Sequence, residues 1–185
     1  MISSVCCHGS VPFNHDTLVG VHLARDLANL PQDGGWTDRA VEQVLREAFV
    51  RGAVVDAATA ANLIQLASRL RSVFTATETA ARVTSVNELL AESVRTVSIA
   101  EHDGLPLHLH FASPDGDLVG RVTAMTAGGL AVFVVEAGGE RLGTCARQGC
   151  GNVYVDISKN CRRAYCSARC GNLDAVHRYR SRRRH

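Results

Sequence analysis

Two pairs of cysteines near the C-terminus constrain this chain more than anything else in it. Cys145 and Cys150 enclose four residues, Cys166 and Cys170 enclose three, and fifteen residues separate the pairs. Close pairs at that separation can meet around one tetrahedral ion, and four thiolates leave no position open for water or substrate. The expected centre is therefore structural, with zinc as its ion. Zinc binding worth ~10 to 16 kcal/mol supplies folding energy that so short a segment lacks. A second assignment uses Cys161 and Cys166, also four residues apart, and leaves Cys170 out. The first is preferred because Ser167 is a natural N-cap, which puts Cys166 just before a helix and Cys170 in its first turn. Amide groups and the dipole at a helix start both favour a thiolate. Between the pairs, Val153 and Val155 alternate before "DISKN", and a second arm carries Ala164 and Tyr165, which predicts a hairpin there. His177 lies about 10 Å along the helix from Cys170, too far to share its ion. Cys6, Cys7 and His8 fall in a predicted N-terminal tail.

Charge follows the cysteines. Residues 1–140 carry 9 basic and 16 acidic groups, and residues 141–185 carry 11 and 2, so a net −7 is followed by +9. Such asymmetry is expected when one end meets a polyanion. Arg162, Arg163 and Arg169 surround the expected metal, and Arg178, Arg180, Arg182, Arg183 and Arg184 crowd the closing helix. Together with Asn172, these are the candidate nucleic-acid contacts. A helix carrying Arg at this density can lie in a major groove or along phosphates.

From residue 141 onward the chain resembles the CGNR zinc finger. The likeness rests on the paired cysteines, "VYVDIS", "RRAYCSARCGN" and the trailing basic run. In that family the finger follows an N-terminal ABATE domain in bacterial proteins described as stress-induced transcription regulators. The resemblance implies DNA binding. Over residues 1–140 it rests on "LARDLANL", similar to an early helix of the family, and on the order helices, hairpin, helix, finger. Where the family motif ends in Arg, this chain reads "CGNL", with Asp174 after Leu173. Leu173 falls on the Cys170 side of the helix, where it is expected to pack on the hairpin.

Ahead of the finger, periodicity predicts helices. Leu18, Val21, Leu23, Leu27 and Leu30 recur near helical spacing until Pro31. Thr37 caps a second helix whose stripe is Ala40, Val41, Val44, Leu45, Ala48 and Phe49, ending at Gly52. Residues 54–81 read as one long helix with Leu63, Leu66, Leu70 and Phe74 inward, and Ser85 with Glu88 suggests a capping box for a short one. Period-two alternation over 96–111, either side of Asp103-Gly104, predicts a hairpin. Val97, Ile99, Leu107, Leu109 and Phe111 would share its buried face, and His108 and His110 would converge on the solvent side. Over 118–137 a helix is predicted although Gly128-Gly129 weakens it by ~2 kcal/mol relative to Ala-Ala. The expected fold is α+β: a mainly helical domain at 1–140 with one hairpin, and a treble-clef-like finger of hairpin plus basic helix at 141–185.

The leading expectation is a DNA-binding transcription regulator holding structural zinc. Dimerisation through residues 1–140 would supply specificity that one finger seldom provides. A redox-responsive zinc-thiolate sensor using Cys161 and a protein or RNA interaction module are the alternatives. No nucleophile with its base, phosphate loop or open metal position is visible, and His22 with Asp26 is an ordinary helix-surface pair, so an enzyme is not expected. The longest apolar run, "GGLAVFVVEAGG", is short of the ~20 residues that span a bilayer. A cytoplasmic protein is expected.

Overall fold

The computed structural model describes residues 15–32, 34–101, 107–113 and 115–183. Four helices come first: α1 (His15–Asn29), α2 (Asp38–Glu47), α3 (Ala57–Thr75) and α4 (Thr79–Ser93). The hairpin β1 (Ser98–Ala100) and β2 (His108–His110) precedes α5 (Leu118–Glu136). A second hairpin, β3 (Leu142–Thr144) and β4 (Val153–Val155), leads to α6 (Ala168–Arg182). The fold is mixed, with helices dominant and both hairpins antiparallel.

Local chemistry sets the helix starts. Thr37 accepts the Ala40 N–H, Asp56 the Thr59 N–H and Asp117 the Gly120 N–H, each meeting an amide that the helix itself cannot satisfy. α1, α3, α4 and α5 pack together around Leu23, Leu27, Leu63, Leu70, Phe74, Leu89, Leu130 and Phe133, all within 1% of full burial. α5 is the central element. With a mean hydropathy of 1.8 it is long and apolar enough to cross a membrane by length and composition, yet ten of its residues are buried among the other helices.

Gly128 and Gly129, which weigh against a helix on propensity, are what lets α5 approach its neighbours. A Cβ on Gly129 would lie 2.8 Å from the Gly20 Cα and 3.0 Å from the Val21 nitrogen of α1. A Cβ on Gly128 would meet the Phe111 ring at 2.2 Å. Close packing here outweighs the entropic cost of glycine.

Four expectations are corrected. The segment expected to be a single helix over 54–81 breaks at 76–78, and α4 begins at Thr79, so Ser85 lies inside α4 and caps nothing. Phe49 is 75% exposed with φ +59°. It occupies the left-handed position of a Schellman end, where the Phe49 N–H reaches the Arg46 carbonyl and the Val50 N–H reaches that of Leu45. The faces of the hairpin strands are reversed: His108 is buried, while Val97, Ile99, Leu107 and Leu109 are exposed, and only Phe111 of the five packs inward as expected, on Gly128. Alternation defines two faces without saying which turns inward, and a slip of one residue exchanges them. Fourthly, Leu173, expected to be covered by the hairpin, is 47% exposed. The Asp103-Gly104 turn and Cys6, Cys7 and His8 lie outside the described residues.

Candidate metal centre and basic helix

β3 and β4 pair Leu142 with Val155, Gly143 with Tyr154 and Thr144 with Val153. The inward residues Leu142, Val153 and Val155 join the helical core. Polar groups hold the same seam. Asn29, the last residue of α1, donates its side-chain amide to the Val153 carbonyl (3.1 Å) and accepts the Val153 N–H (2.8 Å). Arg71 of α3 donates to the Gly151 carbonyl at 2.5 Å. Buried Arg82 of α4 donates to the carbonyls of Val73 (3.0 Å), Ala76 (2.5 Å), Leu142 (3.3 Å) and Gly139. None of these three side chains is singled out by the sequence pattern.

The β3–β4 connection carries Cys145 and Cys150. Cys145 donates its N–H to Asn152 (2.8 Å) and Cys150 to Arg147 (3.0 Å), with Gly149 at φ +75° completing the turn. This corrects the hairpin expected between the cysteine pairs: β4 pairs backward with β3, and the arm at 164–165 forms no strand. A backbone bond from the Ala146 N–H to the Ala164 carbonyl (2.8 Å) ties that arm to the first cysteine loop.

Asp156 organises the return toward α6. Its carboxylate accepts from the Ser158 N–H (2.8 Å), the Ser158 hydroxyl (2.5 Å) and the Arg163 N–H (2.9 Å). Burial pushes this carboxyl up, and the Ser158 and Arg163 hydrogen bonds outweigh burial, leaving it below the usual value. At the start of α6, Ser167 accepts the Cys170 N–H at 3.2 Å, the cap expected from sequence.

These supports bring the Sγ atoms of Cys145, Cys150, Cys166 and Cys170 within 4.8 Å of one another. Cys150 to Cys166 is 3.8 Å, Cys150 to Cys170 3.7 Å and Cys166 to Cys170 3.5 Å. A tetrahedral ion with metal–sulfur bonds near 2.3 Å spaces its sulfurs by about 3.8 Å, whereas a disulfide needs about 2.05 Å. The four cysteines are therefore positioned to hold a metal ion. Their electrostatics agree. Cys170 is pushed down to about 6, first by the Arg147 guanidinium donating to its Sγ (3.2 Å) and then by Ser167. Cys166 is pushed up to about 12, first by burial and then by hydrogen bonds to its neighbours. A cluster that accepts one negative charge and resists the next is completed by a central cation.

Cys161 stands apart from this cluster. It adopts φ +50°, and Arg141 Nη2 lies 2.7 Å from its Sγ. Arg147 is the residue that sequence reasoning missed here, although its place inside the first cysteine loop is a usable signal.

Residues 141–183 match the CGNR zinc finger family. The match covers 43 of the 185 residues and begins at the charge break. No curated protein matches the chain.

The basic residues of the CGNR finger divide by environment. Arg163 is engaged internally, donating to the carbonyls of Tyr165 (3.0 Å), Val155 (3.3 Å) and Cys166 (2.7 Å). Arg162, Arg169 and Asn172 are exposed, and Arg162 and Asn172 line a groove with Lys159, Asn160 and Tyr165. Arg178 pairs with Asp174 at 3.0 Å, and Asp174 also accepts from the Tyr165 hydroxyl (2.9 Å). Arg180 and Arg182 are exposed, and the Arg183 guanidinium stacks over Tyr179 at 5.1 Å. Arg184 lies outside the described residues. Among the described residues of α6, only Cys170 is buried, and Leu173, Val176 and Tyr179 are exposed between the arginines.

Proposed function

We propose that this chain is a DNA-binding transcription regulator whose CGNR finger is a treble-clef-like unit holding structural zinc. The observation that carries the reading is α6 itself. Beyond Asp174 every described residue is exposed, so the C-terminal half of the helix buries nothing against its own chain, and α6 carries four arginines against one carboxylate, Asp174. A solvent-facing helix of this composition is suited to phosphates, with Asn172 and the side chains between the arginines available to base edges. Four thiolates suit zinc, and such a centre orients the helix without reacting. The seam made by Asn29, Arg71 and Arg82 would carry a change in the helical region to the finger, and a homodimer through that region would present two such helices.

The test is anisotropy of a labelled duplex titrated with zinc-loaded chain across salt. If the six exposed arginines, 162, 169, 178, 180, 182 and 183, meet phosphates, log affinity falls with log salt at a slope of about −5. Binding should collapse when the metal is removed. Undetectable binding at low salt, or binding indifferent to metal removal, contradicts the proposal.

One contact favours a second reading as a thiol sensor. Arg141 Nη2 lies 2.7 Å from the Cys161 Sγ, and a cysteine beside a cation is the kind that peroxide oxidises selectively. Metal release by mild peroxide that disappears in Cys161→Ser would support it, and equal release from both proteins would exclude it.

A further inference from the structure

The β1–β2 hairpin carries a second cluster of metal-ligating atoms, unrelated to the cysteines. His108 and His110 alternate along β2 and so share a face. Their cross-strand partners on that face are Ala100 and Ser98, both small. The face is turned into the protein: His108 is 5% exposed and His110 is half-buried, whereas Ile99 and Leu109 occupy the outer side. The rings are tilted by 40° with centroids 4.9 Å apart, and their Nε2 atoms approach to 2.9 Å.

That separation is informative. Two imidazole nitrogens on one ion, each bonded at about 2.0 to 2.1 Å, stand about 2.9 to 3.3 Å apart when adjacent in octahedral or tetrahedral geometry. The contact is an N–H···N hydrogen bond in which one ring donates and the other accepts, the roles set by the tautomers. An ion bound there would displace that shared proton and take both Nε2 atoms as donors, each ring then carrying its proton on Nδ1.

We propose that His108 and His110 form a second metal-binding site, taking a divalent transition-metal ion that prefers imidazole, such as Zn(II) or Ni(II). Two protein donors leave its remaining positions to water or an incoming ligand, unlike the closed four-thiolate centre. The site sits at α5, because Phe111, the residue after His110, packs its ring on Gly128. Occupancy of the hairpin would therefore bear on the central helix of the core.

The test uses the full chain, first loaded with one zinc at the cysteines and dialysed. Ni(II) is then titrated against a fluorescent chelator. Wild type should take one further equivalent, and His110→Ala should weaken that binding by about a hundredfold, because a single imidazole loses the effective concentration of its neighbour. The zinc at the cysteines should remain in both proteins. A wild type that binds no second ion, or a His110→Ala protein that titrates like wild type, overturns the proposal. Imidazole nitrogen NMR of the wild type with a second equivalent of Zn(II) serves if the variant does not fold. The Nε2 signals of both histidines should move together, and unmoved signals overturn the site.

Discussion

Replacing Arg82 by methionine keeps much of the side-chain volume and removes every hydrogen bond of the guanidinium. Four carbonyls then lose their donor: Val73 and Ala76 at the end of α3, Gly139 after α5, and Leu142 in β3. Burial works against the cation, holding its pKa below the usual value, so the substitution also relieves a desolvation cost. Hydrogen bonds to a charged group contribute about 1.5 to 3 kcal/mol each, and removing one partner of a buried charged network costs about 3 to 5 kcal/mol net. For a chain of 185 residues, each kcal/mol moves the midpoint by about 2 to 4 °C, so Arg82→Met should melt about 10 °C below wild type or lower. The assay is calorimetry with urea unfolding, both at fixed excess zinc so that metal linkage is equal. Arg82→Lys, which keeps the charge without the planar fork, should fall between the two. A loss below about 1 kcal/mol for Arg82→Met would refute the argument that this residue ties the finger to the helices.

Three further substitutions test other parts of the structure. Phe49→Gly should stabilise by about 1 kcal/mol in urea unfolding, since the left-handed position favours glycine and the ring is 75% exposed; a destabilised protein would contradict this. Gly129→Ala should destabilise by about 1 to 3 kcal/mol despite better helix propensity, because Gly20 and Val21 backbone atoms occupy the space; a higher melting temperature would show that α1 and α5 can separate freely. Asp156 has a depressed folded pKa, so its contribution is present above the unfolded carboxylate value near 4 and is lost as pH falls through the lower folded value. Asp156→Asn should therefore cost about 1 to 3 kcal/mol at pH 7 and show a shallower acid dependence than wild type, and parallel pH profiles would count against the assignment.

Much of the helical frame is legible because apolar periodicity and caps agree. Val21, Leu27, Val41, Leu45, Leu63 and Leu70 are core residues on the faces that spacing predicts, and Thr37 and Ser167 cap as read. The α3–α4 break is invisible because "TATETAA" holds no glycine or proline, and the turn is fixed instead by Arg82 gathering the carbonyls around it. The paired cysteines are legible through spacing, and the helix start groups Cys170 with the three thiols whose Sγ atoms lie near it in the structure. Strand pairing was not legible. Val153 and Val155 could pair on either side, and burial of Leu142 against the helices selected β3. The roles of Asn29 and Arg163 were hidden for the same reason, since each bonds backbone that only the tertiary fold brings near.

The most direct test of the metal-centred account is zinc stoichiometry after exhaustive dialysis, measured on wild type, Cys161→Ser and Cys170→Ser. One tightly held zinc in wild type and in Cys161→Ser, with loss from Cys170→Ser, is the predicted result. Retention in Cys170→Ser together with loss from Cys161→Ser, or no retained zinc in wild type, would contradict the centre that Cys145, Cys150, Cys166 and Cys170 are positioned to form.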